Sequence, residues 1–154
     1  ACLVGQAARR KGKGGFLMTP VMFLAVAVGG ACGALLRYAL SLLIGAGLFG
    51  IAGPMATLSV NIGGSAMMGL LAGGMAAGLV LPEPLRLFIA VGFLGALTTF
   101  SSFALDAGSL LQRTGQMMSL VYICLSVGLS LLAFGAAYML AGMLTGMLFG
   151  RGGG

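Results

Sequence analysis

Charged residues are scarce in this 154-residue sequence, which holds eight Lys or Arg residues, two acidic residues and no His. The two acids, Glu83 and Asp106, stand without a neighbouring base, nucleophile or metal ligand that would complete a catalytic group. The three cysteines are an odd number without paired spacing, so neither a disulfide framework nor a metal cluster is indicated. The sequence therefore gives no indication of an enzyme.

Apolar residues are abundant instead, at 60% of the sequence, and the mean hydropathy is +1.15. This is far above what a soluble domain needs. A spanning helix needs roughly 20 apolar residues, and the charge-free runs leave room for four helices, at approximately 21–44, 55–81, 85–111 and 118–140. The 29 glycines fit tightly packed membrane helices rather than disorder, which requires low hydrophobicity. The predicted fold class is an all-α membrane protein with four transmembrane helices.

The net charge of +6 is concentrated near the N-terminus, where residues 9–13 supply four of the eight basic residues. That charge therefore belongs to a tail rather than to a nucleic-acid-binding surface. We predict a basic extension of doubtful origin at 1–17, followed by a four-helix transmembrane domain at 18–154. The apolar run after residue 140 either extends the fourth helix or lies in the membrane interface.

The predicted loops are short, so sequential helices must be antiparallel neighbours. Arg86 and Arg151 would lie on one side of the membrane, and Arg37 and Arg113 on the other. Because Lys and Arg near helix ends set orientation, this balance predicts insertion both ways, as an antiparallel, dual-topology homodimer requires. If the basic tail is native, the numbers of basic residues on the two sides of the membrane become six and two. This imbalance favours a cytoplasmic N-terminus.

Polar residues in the second and fourth helices are candidates for a site. Asn61 lies near the middle of the second helix, where an unpaired amide would be costly. It either makes an interhelical hydrogen bond, worth only about 0.6 kcal/mol on average, or donates its NH₂ group to an anion. Tyr122, Ser126 and Ser130 place one hydroxyl per turn on one face of the fourth helix. They are either a row of hydrogen-bond donors along a path or residues that pack closely against a neighbouring helix.

The segment 92–103 interrupts the apolar pattern of the third helix with two glycines and four Ser or Thr residues. Glycine weakens a helix and hydroxyls compete for its backbone groups, so the third helix is predicted to be broken, with carbonyls free to bind a cation. The alternative is a merely kinked helix. Phe100 and Phe103 share a helix face, and their electropositive ring edges can face an anion unless they are ordinary lipid or core contacts.

Three segments together resemble the Fluc (CrcB) family of fluoride channels: GGACGALLRY at 29–38, ATLSVNIGG at 56–64 and GFLGALTTFSSF at 92–103. The order and spacing of these segments, with the central TTFSSF, make the resemblance specific. Two residues depart from the family pattern, since Ala96 replaces the second glycine of a GG pair and Ala56 replaces a glycine before Thr57. Neither position supplies a side-chain ligand, so the departures concern the shape of the helix break.

The resemblance implies a passive, fluoride-selective channel that exports fluoride across the cell inner (plasma) membrane as a multi-pass protein. It implies an antiparallel homodimer in the lipid bilayer, with two pores, a structural sodium ion (Na⁺) on the dimer axis and no nucleic-acid partner. It assigns the anion pore to Asn61, Phe100, Phe103, Tyr122, Ser126 and Ser130. It assigns the sodium ligands to the backbone carbonyls of Gly95 and Thr98 of both subunits.

Two other classes of protein fit part of this pattern. A proton-coupled small multidrug exporter is also a four-helix, dual-topology dimer, but it needs an acid embedded in the membrane. Asp106 lies near the end of the predicted third helix, and the first helix has no acid. A non-transporting assembly protein would not require Asn61 and the hydroxyls to converge on one path. The sequence therefore favours the fluoride channel.

Overall fold

A computed structural model describes residues 20–45 and 52–149 of the chain. Four segments of this part are long and apolar enough to cross a membrane: Pro20–Ile44, Gly53–Ala76, Glu83–Thr114 and Gln116–Thr145. The described residues contain helices and no strand. The predicted all-α fold with four transmembrane helices is confirmed, whereas the extension at 1–17 and Arg151 lie outside the described residues.

The four spans contain five helices because the third span is divided. The helices are α1 (Pro20–Gly45), α2 (Ala52–Ala76), α3 (residues 83–97), α4 (Phe100–Thr114) and α5 (Gln116–Phe149). Within α3, the segment Leu87–Leu94 is wound as a π-helix. Between α3 and α4, the backbone of Thr98 and Thr99 is extended, with ψ values of 147° and 122°. We call these two residues the helix break.

The helix break is shorter than the sequence indicated. Gly92 and Gly95 lie within α3, so neither glycine breaks the helix. Gly92 instead allows α3 to approach α1, since a Cβ at this position would lie 2.8 Å from the carbonyl oxygen of Val26. The prediction of a broken third helix is confirmed, but the two threonines form the break.

The ends of α2 and α5 differ from the predicted ends. The second helix stops at Ala76 rather than at residue 81, because Gly78 adopts a φ of 104°. The amide of Leu79 donates to the carbonyl of Gly74, and the amide of Gly78 donates to that of Met75, which completes a Schellman cap. At the other end of the chain, α5 continues to Phe149, so the apolar run after residue 140 extends the fourth helix up to that point.

Close contacts between α2 and α5 position the site. A Cβ at Gly69 would collide with the carbonyl oxygen of Phe134, and one at Gly73 would collide with that of Tyr138. The two helices therefore approach to backbone contact, as small residues permit in membranes. Each contact lies one turn after the previous one on both helices, so α2 and α5 run parallel.

Candidate functional site

A cavity of about 300 Å³ lies between α2, the helix break, α4 and α5. We call it the polar cavity, and its walls are formed by Asn61, Ser65, Thr98, Thr99, Phe100, Phe103, Ser126, Val127, Ser130 and Leu131. None of these side chains carries a formal charge. The polar cavity thus presents one carboxamide and several hydroxyls against aromatic and aliphatic walls.

Five of the six residues predicted to form the pore line the polar cavity, namely Asn61, Phe100, Phe103, Ser126 and Ser130. They come from three helices, so the fold brings together residues that are far apart in the sequence. The sixth, Tyr122, does not line it. Tyr122 is 5% exposed, and its ring stacks on that of Phe103, with 5.7 Å between the ring centroids.

Asn61 connects α2 to the helix break. Its Oδ1 accepts a hydrogen bond from the amide of Thr99 at 2.9 Å, and its Nδ2 donates to the carbonyl of Thr99 at 3.3 Å. The interhelical hydrogen bond considered from the sequence is therefore present. A carboxamide nitrogen carries two hydrogens, so the bond to Thr99 leaves one of them to donate to a ligand in the polar cavity.

The N-terminus of α4 also faces the polar cavity. Thr99 is its N-cap, and the Oγ1 of Thr99 accepts from the amide of Ser102 at 3.4 Å. The first amides of a helix have no partner within the helix, and they carry part of the positive end of its dipole. The start of α4 at Phe100, in the cavity wall, thus adds positive potential without a charged side chain.

The two phenylalanines differ in exposure. Their ring centroids are 5.3 Å apart and their planes are inclined by 47°. Phe103 is 9% exposed and belongs to a buried cluster with Ala107, Leu110 and Tyr122. Phe100 is 79% exposed, so its ring stands at the open rim of the polar cavity.

The serines of α5 supply hydroxyls to the polar cavity. Ser126 is 4% exposed, and its Oγ lies near the hydroxyl of Tyr122 but makes no hydrogen bond of ordinary geometry with any described residue. Most buried polar atoms in proteins have a partner, and a bare one costs about 1–3 kcal/mol. A ligand or water in the polar cavity would satisfy this hydroxyl.

A second cavity, of about 650 Å³, lies beyond the stacked rings of Phe103 and Tyr122. It is bounded by the start of α2, the later turns of α4 and the start of α5, and it contains Asp106 and Arg113. The hydroxyl of Tyr122 donates to the carboxylate of Asp106 at 3.5 Å. The half-buried acid of the third span therefore lies in this second cavity, outside the polar cavity.

The predicted sodium ligands lie at the helix break, with Thr98 in the break and Gly95 in the last turn of α3. The amide of Thr99 donates to Asn61, and the amide of Ser102 donates to Thr99 Oγ1. In a continuous helix these two amides would bond to the carbonyls of Gly95 and Thr98, four residues earlier. Both carbonyls are thus released from the helical ladder, and uncharged backbone oxygens of this kind suit a sodium ion.

Two polar residues that line the polar cavity were not predicted from the sequence. Ser65 lies four residues after Asn61, so the helical period alone places it on the same face. The other is Thr99, whose backbone and hydroxyl join Asn61 to α4. No local pattern identifies this role, because it depends on where the extended backbone meets α2.

The chain matches the family of CrcB-like proteins, Camphor Resistance (CrcB), over residues 24–149. The "Fluoride-specific ion channel FluC" of Rhodospirillum centenum is 47% identical over 113 residues, which are 71% of this chain and 86% of that protein. The protein of the same name from Magnetococcus marinus is 45% identical over 123 residues, 80% of this chain and 95% of the relative. Because the match extends from α1 to the end of α5, the chain belongs to the CrcB-like family.

Proposed function

We propose that this chain is a fluoride-specific ion channel of the plasma membrane that lets fluoride leave the cytoplasm passively. The observation that carries the proposal is the polar cavity, which offers neutral donors but no charged side chain. Relatives named fluoride-specific ion channels cover most of the chain, which supports the same conclusion. The four spans make the protein a multi-pass membrane protein.

The chemistry of the polar cavity suits a small, strongly hydrated anion. Such an ion must exchange water for protein donors that bind it firmly enough for entry and weakly enough for release. The free hydrogen of Asn61 Nδ2, the hydroxyls of Ser126 and Ser130, and the edges of Phe100 and Phe103 meet this requirement. A Lys or Arg at the same place would hold the anion more strongly and slow its release.

The lining of the polar cavity argues against the proton-coupled exporter considered from the sequence. Such an exporter needs an acid where its substrate binds. The residues that line the polar cavity include no acid, and Asp106 is separated from it by the stacked rings of Phe103 and Tyr122. Membership of the CrcB-like family also argues against that alternative.

Replacement of Phe100 by Ile should lower fluoride flux several-fold and leave the fold intact. Phe100 is 79% exposed on the single chain, so the change removes an aromatic edge without emptying a packed core within that chain. The measurement is fluoride release from liposomes containing purified protein, recorded with a fluoride electrode and repeated with chloride as the anion.

Phe23→Ile is the matched control, because Phe23 is 57% exposed on α1 and does not line the polar cavity. Its flux should equal that of the unaltered protein. Equal flux in Phe100→Ile and Phe23→Ile would contradict a role for the Phe100 ring. Unaltered protein that passes chloride as freely as fluoride would contradict the channel function itself.

The proposed active form is an antiparallel homodimer. Phe100 and Gly95 are exposed on the surface of the single chain although they lie within the third span. A second copy related by a two-fold axis would present the same surface in return and cover both. Phe100 would then stand at the junction of the pore and the dimer interface.

The proposed dimer would hold one sodium ion at the helix breaks, through the carbonyls of Gly95 and Thr98 of both copies. A bound Na⁺ would supply positive charge and tie the two breaks together. Protein purified and reconstituted without sodium should give several-fold lower fluoride flux and fewer cross-linked dimers, and sodium should restore both. Full flux and dimer yield in potassium salts alone would contradict the sodium site.

A further inference from the structure

The packing of α2 against α5 fixes which residues face each other across the polar cavity. Gly69 contacts Phe134, and Gly73 contacts Tyr138 one turn later. Because the two helices run parallel in this register, one turn before Gly69 places Ser65 opposite Ser130. One further turn places Asn61 opposite Ser126. All four of these residues line the polar cavity.

We propose that Ser65 binds fluoride directly and forms, with Ser130, a second pair of donors one turn away from Asn61 and Ser126. This inference rests on the proposed channel function. It assigns a role to a residue that lies outside the three family-like segments and outside the row of α5 hydroxyls at Tyr122, Ser126 and Ser130. The anion would pass from the first donor pair to the second along the facing surfaces of α2 and α5.

The Ser65 hydroxyl is free to take this role. Hydroxyls in membrane helices commonly donate to the carbonyl four residues earlier. Thr98, Thr114 and Thr145 do so here, at 2.8–2.9 Å. Across residues 20–45 and 52–149, in contrast, the side chains of Ser65 and Ser130 take part in no hydrogen bond. A ligand in the polar cavity would satisfy both hydroxyls at once.

The position of the Ser65–Ser130 pair favours a small anion over a larger one. One turn beyond Ser65, the backbones of α2 and α5 meet at Gly69 and Phe134. The Ser65–Ser130 pair is therefore the last polar pair before the two helices close. An anion there has few other donors, because Val127 and Leu131 form the neighbouring wall. A small anion that both hydroxyls can reach is favoured over a larger one.

The test compares three variants in the liposome assay with a fluoride electrode. Ser65→Ala should lower fluoride flux about tenfold, the change expected for one lost hydrogen bond to an ion. Ser65→Thr keeps the hydroxyl and should stay close to the unaltered protein. Ser59→Ala is the control, because Ser59 is exposed on the same helix and does not line the polar cavity. It should conduct normally.

The relative fluoride flux of the two Ser65 variants distinguishes a hydrogen-bond donor from a packing residue. A packing role predicts that the added methyl group of Ser65→Thr does more harm than the lost oxygen of Ser65→Ala. Flux in Ser65→Ala equal to that of the unaltered protein, or lower flux in Ser65→Thr than in Ser65→Ala, would overturn the inference and leave the channel function standing. Absence of fluoride flux in the unaltered protein would instead overturn the channel function.

Discussion

Asn61→Asp should reduce fluoride flux by at least two orders of magnitude. The substitution places a carboxylate in a cavity that has no formal charge. Two like charges about 4 Å apart repel by about 4 kcal/mol at an effective dielectric constant of about 20. A factor of ten corresponds to about 1.4 kcal/mol, so the repulsion alone accounts for such a loss. The measurement is the initial rate of fluoride release from liposomes with equal amounts of protein.

Asn61→Ala separates the added charge from the lost amide. Alanine removes the donor and both hydrogen bonds to Thr99 but adds no charge. Aspartate can still accept from the Thr99 amide through one oxygen, so its effect on the helix break should be the smaller one. We expect Asn61→Asp to conduct less than Asn61→Ala although it disturbs the fold less. The reverse order would indicate that Asn61 acts mainly on the helix break.

Asn61 shows why the site was only partly predictable from the sequence. A carboxamide in an apolar helix predicts that a partner exists, but it does not identify the partner. The structure supplies both of its hydrogen bonds from the backbone of one residue, Thr99. The two interpretations that the sequence left open are thus compatible, because one amide group has enough donors and acceptors for the helix break and for an anion.

The four spans and the broken third helix were predictable because they depend on local composition. Long apolar runs leave few alternatives to membrane helices. The position of the break was predicted less well, since glycine has two uses in a membrane helix. Gly92 could weaken α3, but it permits close packing against α1 instead. Local propensity does not decide between these uses, which depend on the neighbouring helix.

The placement of Tyr122 illustrates the limit of a helical stripe. Tyr122, Ser126 and Ser130 follow one face of α5, and the two serines reach the polar cavity. Phe103, which lines the polar cavity, stacks on Tyr122, which lines the second cavity instead. The helical period predicts only that the three residues share one face of α5. Whether each of them reaches the polar cavity depends on a side chain from α4. The pore role of Tyr122 stays a prediction, and any such role would be exerted from the second cavity.

The helix break contributes both to the proposed anion path and to the proposed sodium site at the dimer contact. Its extended backbone releases carbonyls on one side, and on the other it starts α4 in the wall of the polar cavity. Asn61 holds the break against α2 through Thr99. A change that moves Thr99 should therefore affect the anion path and the proposed dimer contact together.

Gly69→Ala should destabilise the protein, although alanine normally favours a helix. In an exposed helix, replacement of glycine by alanine stabilises by about 1 kcal/mol. At Gly69 the new Cβ would meet the backbone of Phe134 and lie 3.1 Å from the Cβ of Ala137. A backbone cannot move aside as a flexible side chain can, so α2 and α5 would have to separate. Overpacking of this kind costs about 1–3 kcal/mol.

Gly142→Ala is the control, and we expect it not to destabilise the protein, because nothing lies within 4 Å of a Cβ built at that position. Its melting temperature in detergent, followed by circular dichroism, should equal or exceed that of the unaltered protein. Gly69→Ala should melt lower, and Gly69→Ala combined with Gly73→Ala lower still. Since separation of α2 and α5 would also pull Ser65 and Ser130 apart, fluoride flux should fall with stability. A Gly69→Ala protein as stable as Gly142→Ala would refute the described contact between α2 and α5.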